Sequence, residues 1–399
     1  MTERLFQDNS YLRSFDSKII KQTEHEGKPA VVLDKTLFYP VSGGQLHDTG
    51  KLNDSVILDV IDNEDGILHV VDKLPGSDNV HGEIDWNTRF DNMQQHTGQH
   101  ILSASIIRIL NAETISSSLG RDISTIDINR TSFSNEDMLK VELDANSWVY
   151  KNVTVNILYP DDEEIKNIPL RKQPPPGKKV RIINIEDLDF SPCGGTHCRN
   201  TGEVGIIKIK RWEKMRGNIR LEFYCGKRAF TDYYNKSVNI SDISGLLQCN
   251  ENEVFDHLQN QMTDSKNTRR EMNDLRNELF GYQARKIFDS GEKISGIKII
   301  QHCLKDTDIQ ALQNLAQHIR KQGDCVVLLG SSGKKPAFVF TCTEGTDNDL
   351  REILNDLRKN FNIKGGGGPS MVQGGLDENT NLEEFLDSAY DETKKVIKT

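Results

Sequence analysis

The sequence contains 399 residues, of which 36% are hydrophobic and 28% are charged, and its 50 basic and 60 acidic side chains give a net charge of −10. This length predicts two or three domains, because a single hydrophobic core usually stops growing near about 250 residues. The negative charge argues against broad, indiscriminate nucleic-acid binding, and no apolar run approaches the ~20 residues of a transmembrane helix, so we expect no membrane partner.

The N-terminal part of the chain has a strand-like pattern. Its first residues include acidic side chains and lack an apolar core, unlike a signal or transit peptide, which predicts a cytoplasmic protein. Residues 1–90 alternate apolar and polar residues in short runs bounded by turn residues, which predicts a small β-barrel or sandwich. At about Asp91, a potential N-cap, the pattern changes to helical spacing.

Residues 91–240 form the next predicted domain, in which this helix is followed by short strands. Residues 124–128 and 154–159 have strand patterns. The segment 171–179 contains three consecutive prolines, which exclude a helix and predict an extended connection. Residues 180–235 return to strand patterns, with SPCGGTHC as the loop between them.

The C-terminal half divides into a helical arm and an α/β domain. Residues 241–290 favour helix, and Asn250 and Glu253 have the spacing of a capping box. The apolar seam of this arm is too interrupted for a sustained coiled coil, so a helical hairpin and a dimer contact both remain open. Residues 291–399 combine strands and helices with a glycine-rich loop, so the predicted fold class is α+β multidomain.

Two pairs of residues have the chemistry of a metal site. His96 and His100, four residues apart on a helix, lie one above the other and can meet one ion. A metallopeptidase would carry a Glu beside the first His, where Thr97 stands. Cys193 and His197 add a thiolate and a third imidazole, and the glycines between them allow a tight turn. This set suits tetrahedral zinc, although a His pair alone more often consists of ordinary histidines.

The remaining polar and sulfur-containing features are less specific. Seven cysteines, an odd number in a long chain, do not form a disulfide framework. Cys198 is interpreted as a buried spectator thiol. Residues 208–228 are predominantly basic and include Arg211, Lys214 and Arg216, for which a nucleic-acid contact and an ordinary solvated strand surface both remain open.

Three motifs, in order, resemble those of the alanyl-tRNA editing family, which comprises the editing domain of alanyl-tRNA synthetase and the freestanding AlaX proteins. They are TLFYPVSGGQLHDTG, QQHTGQHILS and SPCGGTHC. Residues 291–399, with the glycine motif KGGGGPSMVQGG, resemble the DHHA1-type domain that ends alanyl-tRNA synthetases. The chain departs from the family at Ser118, where a histidine is common, which leaves the role of residues 115–122 open.

The resemblance implies a zinc-dependent aminoacyl-tRNA deacylase that works in trans and without ATP. Its substrate would be tRNA(Ala) mischarged with serine or glycine, and it would carry one Zn²⁺ per chain. The ligands it implies are His96, His100, Cys193 and His197. It also implies that the C-terminal domain binds tRNA, and a homodimer through the arm or this domain is compatible with it.

Two further residues are candidates for the chemistry. Gln45 can hold the substrate or water by its amide, although an ordinary glycine turn with a solvated Gln is the alternative. Thr36 is the candidate for reading the serine hydroxyl, because a site that hydrogen-bonds a hydroxyl penalises an analogue lacking it. An ordinary strand threonine is the alternative there.

In the C-terminal domain, the backbone N–H groups of Gly365, Gly366, Gly367 and Gly368 can form an anion nest for tRNA phosphate, with a flexible loop as the alternative. Two competing functions remain open. One is a non-catalytic tRNA-binding or regulatory protein with a structural zinc, since closed four-ligand sites are usually structural. The other is a hydrolase of a small ester or amide.

Overall fold

A computed structural model describes residues 2–173, 180–344, 346 and 349–398. The chain separates into two compact units, residues 1–243 and 244–399. Both units mix helices and strands, which confirms the α+β multidomain class. The division into four domains stays a prediction, and the proline run at 174–176 lies outside the described residues. Among the residues that the structure describes, no helix is long and apolar enough to cross a membrane.

The first unit begins with strands and then alternates strands with helices. Its described strands are β1 (Glu3–Arg4), β2 (Ser14–His25), β3 (Lys28–Leu33), β4 (Lys35–Thr36), β5 (Gly50–Leu52), β6 (Ser55–Asn63), β7 (Gly66–Val71), β8 (Asn79–Ile84), β9 (Thr114–Leu119), β10 (Ser124–Ile128), β11 (Val155–Leu158), β12 (Ile182–Ile185), β13 (Asp189–Pro192), β14 (Ile207–Met215) and β15 (Asn218–Cys225). Its helices are α1 (Leu5–Asp8), α2 (Trp86–Leu110), α3 (Asn135–Lys151) and α4 (Gly226–Leu247), with short 3₁₀ turns at Glu164–Asn167 and Thr201–Val204.

The N-terminal strands close into a barrel in the order β2-β3-β7-β6-β5-β8. Alternating residues point inward, as in β8, where every second residue is buried. The barrel core includes Val31, Leu33, Leu52 and Ile67, all fully buried.

A buried ion pair ties the barrel to α2. The side chains of Arg89 on α2 and of Asp48, two residues before β5, are both completely buried. Arg89 Nε donates to Asp48 Oδ1 at 2.9 Å, and its Nη2 donates to the carbonyl of Leu37 at 2.6 Å. Because both charges are paired and hydrogen-bonded, removing one would leave the other buried without compensation.

Helix α2 begins earlier than the sequence pattern indicates. Its N-cap is Asp85, whose carboxylate accepts hydrogen bonds from the N–H groups of Asn87 and Thr88, so the prediction of Asp91 as N-cap is wrong. The helix is buried without interruption from Asn92 to Ile106. It is enclosed because the sheets β14-β15-β10-β9 and β11-β12-β13 also belong to this unit and share its largest core.

The second unit contains a long helix and a mixed sheet. Its helices are α5 (Val254–Asp289), α6 (Ile309–Arg320), α7 (Leu350–Leu357) and α8 (Leu382–Lys398), after a 3₁₀ turn at Glu251–Glu253. Its strands are β16 (Glu292–Ile294), β17 (Ile297–Lys305), β18 (Cys325–Ser332), β19 (Ala337–Cys342), β20 (Ile363–Gly368) and β21 (Met371–Leu376). The predicted capping box of Asn250 and Glu253 is present.

The glycine run is part of the sheet. The strand order is β16-β17-β18-β19-β21-β20, so β20 is an edge strand. Gly365 to Gly368 pair in register with residues 371–374 of β21, and none of the four has a positive φ. An anion nest needs alternating backbone conformations that an extended strand lacks, so the predictions of a glycine loop and of a nest are wrong.

Candidate metal centre

Two segments of the first unit bring the four predicted ligands together. His96 and His100 lie on the buried part of α2 and are each 4% exposed. Cys193 and His197 lie in the loop that follows β13, with His197 buried and Cys193 partly buried. The ligand atoms of all four side chains lie within 4.8 Å of one another, so the group can hold a metal ion.

The donor atoms of the group face one another. Cys193 Sγ lies 3.4 Å from His96 Nε2 and 3.3 Å from His197 Nε2. The rings of His96 and His197 have centroids 4.4 Å apart, and those of His100 and His197 have centroids 4.8 Å apart. Three imidazoles and a thiolate pointing at one centre are the donor types of a tetrahedral site.

The electrostatics favour the metal-binding protonation states of Cys193 and His197. Burial raises the pKa of the Cys193 thiol, but the imidazoles of His96 and His197 outweigh this and hold the pKa well below its usual value. Burial, reinforced by the neighbouring His96, lowers the pKa of His197 to about 3. A thiolate and a neutral imidazole are the metal-binding forms of these side chains.

Each histidine has its second ring nitrogen occupied by another side chain. His96 Nδ1 lies 2.7 Å from Gln45 Oε1, and His100 Nδ1 lies 2.9 Å from Asp189 Oδ2. These acceptors fix the ring proton on Nδ1 and leave each Nε2 lone pair directed at the centre. Thr97 Oγ1 lies 3.2 Å from His197 Nδ1 and so contacts the third imidazole in the same way.

Gln45 therefore lies behind His96, with its amide bonded to protein groups. Its side chain is completely buried. Besides contacting His96, Oε1 accepts a hydrogen bond of 3.1 Å from the Thr196 N–H, and Nε2 donates to Thr196 Oγ1 at 2.8 Å. The preceding turn requires glycine at Gly44, which has φ +84° and lies against the Ser117 carbonyl. This geometry is that of a positioning residue, in contrast to the substrate contact expected from the sequence.

Backbone contacts hold the ligand loop in its shape. Arg181 Nη1 donates to the carbonyls of Cys193 and Gly195 at 2.7 and 3.0 Å. A Cβ at Gly195 would lie 2.2 Å from His96 Cε1, whereas Gly194 faces open space. Gly195 is thus the glycine that allows the loop to approach His96.

Thr36 ends β4, which pairs with β1 and is not one of the six barrel strands, and its side chain is hydrogen-bonded to other buried groups. Its Oγ1 lies 2.8 Å from His69 Nε2 and accepts a hydrogen bond of 3.0 Å from the Phe38 N–H. Burial lowers the pKa of His69 to about 4, so its ring is neutral at pH 7. Because His69 Nδ1 faces the Val31 carbonyl at 3.3 Å, Nε2 is the acceptor and the Thr36 hydroxyl is the donor.

The other predicted positions are separate from the four-residue group. Cys198 is buried, and burial raises the pKa of its thiol, as expected for an inert cysteine. Arg211, Lys214 and Arg216 are exposed at the hairpin of β14 and β15, where Arg211 pairs with Glu222 at 2.5 Å. The glycine run belongs to the second unit.

Asp189, Arg181 and Thr97 are supporting residues that sequence reasoning missed. Asp189 lies four residues before Cys193, and its carboxylate also accepts from Arg171 Nε at 2.7 Å. Burial raises the pKa of Asp189, but the hydrogen bonds and positive charges of His100 and Arg171 together outweigh this and bring the pKa to about 2. The sequence does show an acidic residue, Asp189, shortly before the Cys193 motif. Such a residue is a candidate partner of a ligand, because metal-bound histidines commonly contact a carboxylate.

A family model matches part of this region, and known proteins match nearly the whole chain. The family model described as "Threonyl and Alanyl tRNA synthetase second additional domain" matches residues 180–222. The chain is 32% identical to the alanyl-tRNA editing protein AlaX-L of Pyrococcus horikoshii, with 99% of each chain covered. It is 29% identical to the alanine–tRNA ligase of Archaeoglobus fulgidus over 98% of this chain and 44% of the ligase. The C-Ala domain of Aquifex aeolicus alanyl-tRNA synthetase, 21% identical, covers 28% of this chain with a TM-score of 0.24, too low to bear on the fold.

Proposed function

The chain belongs to the alanyl-tRNA editing proteins, and from this membership we propose that it hydrolyses the ester of tRNA(Ala) mischarged with serine or glycine. The observation that carries the proposal is the convergence of His96, His100, Cys193 and His197 on one centre. The proposed substrate is an aminoacyl-tRNA that another enzyme has charged, so the editing would be in trans.

Zinc is the ion that we propose for this centre. Imidazole and thiolate donors in a four-ligand set favour zinc over magnesium or calcium, which prefer oxygen ligands. Bound there, zinc would supply a Lewis acid that polarises a carbonyl oxygen or lowers the pKa of water. We assign one ion per chain, held by three Nε2 atoms and one Sγ atom.

The surrounding residues would prepare this centre for hydrolysis. Gln45, Asp189 and Thr97 hold the three imidazoles in fixed orientations, which spares their reorganisation during the reaction. With Cys193 assigned as a ligand, its thiolate is not a free nucleophile. We therefore propose direct attack of water on the ester carbonyl. The water oxygen bonds to the carbonyl carbon, the bond from that carbon to the ribose oxygen breaks, one water proton goes to the ribose oxygen, and the other is released as the acid ionises to a carboxylate.

We propose that Thr36 recognises the serine hydroxyl, and its contacts fix the direction of that hydrogen bond. Its hydroxyl proton points to His69 Nε2, and one lone pair accepts from Phe38. Only the second lone pair is left, so Thr36 would accept a hydrogen bond from serine and could not donate one. The Thr36→Val variant should then lower the rate on the serine ester more than that on the glycine ester.

The second unit would contribute tRNA affinity. The edge of β20 leaves backbone groups unpaired within the described sheet, and such groups can hydrogen-bond to phosphate. Exposed apolar side chains on α5, including Phe255, Met262 and Leu275, suit a homodimer contact. Arg211, Lys214 and Arg216 would add positive charge to the tRNA surface of the first unit.

The competing proposal is a tRNA-binding protein whose zinc is structural, and closed four-ligand sites favour it. Deacylation of tRNA(Ala) carrying serine, glycine or alanine separates the two. Editing predicts rapid release of serine or glycine with alanine released much more slowly. Tight binding of all three with release rates equal to those without protein would support the structural alternative.

A further inference from the structure

The segment between α1 and β2 contacts residues 193–199, the ligand loop that carries Cys193 and His197. Tyr11 lies in this segment, well before the first of the three motifs that resemble the editing family. Its hydroxyl accepts a hydrogen bond of 2.8 Å from the N–H group of Arg199 and donates one to the carboxylate of Glu203. Tyr11 and Arg199 are 188 residues apart in the chain, so this contact exists only in the folded protein.

The directions of these two hydrogen bonds follow from the groups involved. A tyrosine hydroxyl has a single proton, and an ionised carboxylate can only accept, so the proton of Tyr11 goes to Glu203. A lone pair of the same oxygen is left to accept from the N–H group of Arg199, which can only donate. Glu203 therefore orients the Tyr11 hydroxyl toward the ligand loop.

Tyr11 and Glu203 are both anchored to α2. The carbonyl of Ser10, the residue before Tyr11, accepts a hydrogen bond of 2.8 Å from Arg89 Nη1. The carbonyl of Glu203 accepts one of 2.9 Å from Gln94 Nε2. Arg89 and Gln94 belong to α2, the helix that carries two of the proposed metal ligands. The Tyr11 hydroxyl thus has a fixed position relative to that helix.

A second hydroxyl binds the ligand loop one residue earlier. Thr97 Oγ1 accepts a hydrogen bond of 3.0 Å from the N–H group of Cys198 and lies 3.2 Å from His197 Nδ1. The two N–H groups that follow His197 are therefore each bound by a hydroxyl, one on α2 and one on Tyr11. Both contacts fix His197 relative to the histidines of α2.

The side chain of Arg199 makes a further contact with Tyr11. Its guanidinium carbon lies 4.0 Å from the centroid of the Tyr11 ring, within the range of about 6 Å for a cation–π contact. Arg199 is thus attached to Tyr11 by its backbone and by its side chain. Replacing Tyr11 by phenylalanine would keep the ring contact and remove only the hydroxyl.

We propose that Tyr11 is a positioning residue that sets His197 relative to the two histidines of α2 and thereby raises the affinity of the centre for zinc. The hydroxyl acts through the backbone of Arg199 and contacts neither the ion nor the substrate. A ligand that is already held in its binding geometry loses less freedom when the ion binds, which favours binding. This inference rests on the proposed function, which assigns zinc to the four-residue group, and it adds a residue outside all three motifs.

Competition with a chromophoric zinc chelator tests the proposal on the full-length protein without hydrolysis. Tyr11→Phe should bind zinc about 3- to 10-fold more weakly, a range expected for the loss of one hydrogen bond. The control is Tyr150→Phe, which removes the hydroxyl of a tyrosine on α3 that is 76% exposed. Its zinc affinity should equal that of the unaltered chain.

Thermal unfolding of the zinc-free proteins separates positioning from stabilisation of the fold. A hydroxyl that only stabilised the fold would lower the unfolding midpoint of Tyr11→Phe and leave the zinc affinity of the folded protein unchanged. That result would overturn the proposal.

Two substitutions of Glu203 test the acceptor that orients the hydroxyl. Glu203→Gln keeps an acceptor oxygen for the proton of Tyr11 and should retain most of the zinc affinity. Glu203→Leu has no acceptor, which frees the hydroxyl to rotate, and should weaken zinc binding. Equal zinc affinities in these two variants would overturn the role of Glu203 in orienting Tyr11.

Hydrolysis of serine-charged tRNA(Ala) separates this inference from the proposed function. In Tyr11→Phe the zinc concentration that gives half the maximal rate should rise about 3- to 10-fold, and the KM for the tRNA at saturating zinc should not change. A raised KM with an unchanged zinc requirement would place Tyr11 in RNA binding and overturn the proposal. If Tyr11→Phe loses zinc affinity while the unaltered protein hydrolyses no ester, the positioning role stands and the proposed function fails.

Discussion

Replacing Asp189 by asparagine tests how strongly its contact with His100 contributes to metal binding. In the structure Asp189 Oδ2 lies 2.9 Å from His100 Nδ1. Its Oδ1 accepts hydrogen bonds from Arg171 Nε at 2.7 Å and from Ser191 Oγ at 3.0 Å. A carboxamide has the same shape but only one acceptor oxygen, so one side of the new residue presents an N–H group to a donor.

The expected loss follows from the tautomer of His100. Arg171 is charged and therefore binds the single amide oxygen of the variant more strongly than His100 does. The amide nitrogen of the variant is then turned toward His100. The His100 proton then moves to Nε2, where it blocks the lone pair that would bind the ion. Loss of such an outer partner weakens metal binding by about 10- to 100-fold, or about 1.4–2.7 kcal/mol.

Competition with a chromophoric zinc chelator measures this affinity. The control is Asp127→Asn, which removes a carboxylate paired with Arg220 at 2.7 and 2.9 Å and not in contact with the metal group. Asp189→Asn should release zinc to the chelator at lower concentrations, and Asp127→Asn should not. A folded Asp189→Asn protein with unchanged zinc affinity would refute the role assigned to the carboxylate.

Three further predictions concern the ligands, the barrel and the edge strand. Elemental analysis should find about one zinc per chain in Cys198→Ala and much less in Cys193→Ala, and equal zinc contents would remove Cys193 from the ligand set. Urea unfolding should show that Arg89→Ala lowers stability by about 3–5 kcal/mol, because its buried carboxylate partner is left uncompensated. Thermal unfolding should show that Gly367→Ala destabilises the second unit, since its Cβ would lie 2.2 Å from a carbonyl oxygen. Gly366→Ala faces open space, and an equal effect there would contradict the strand geometry.

The features that were predicted correctly from the sequence each follow from a fixed spacing of residues along the chain. His96 and His100 follow from helical spacing, and the Asn250 capping box from its three-residue offset. The start of α2 was misplaced although local signals were present, because Trp86, Phe90 and Met93 have helical spacing and the N-cap Asp85 lies just before them.

The other errors arise where a tertiary partner, and not the local residue pattern, decides the conformation. Gly365 to Gly368 have no side chains to show a strand pattern, and only their pairing with β21 makes them a strand. The orientation of Gln45 depends on Thr196, 151 residues away. Asp189 and His100 are separated by 89 residues, so nothing local indicates their contact.

Removing and restoring the metal tests whether hydrolysis depends on zinc. The full-length protein is stripped with a chelator, its zinc content is measured, and hydrolysis of serine-charged tRNA(Ala) is followed before and after zinc is returned. Hydrolysis should fall to the rate without protein and recover in proportion to zinc, reaching its maximum at about one ion per chain. Full hydrolysis by a folded protein that contains no metal would contradict it.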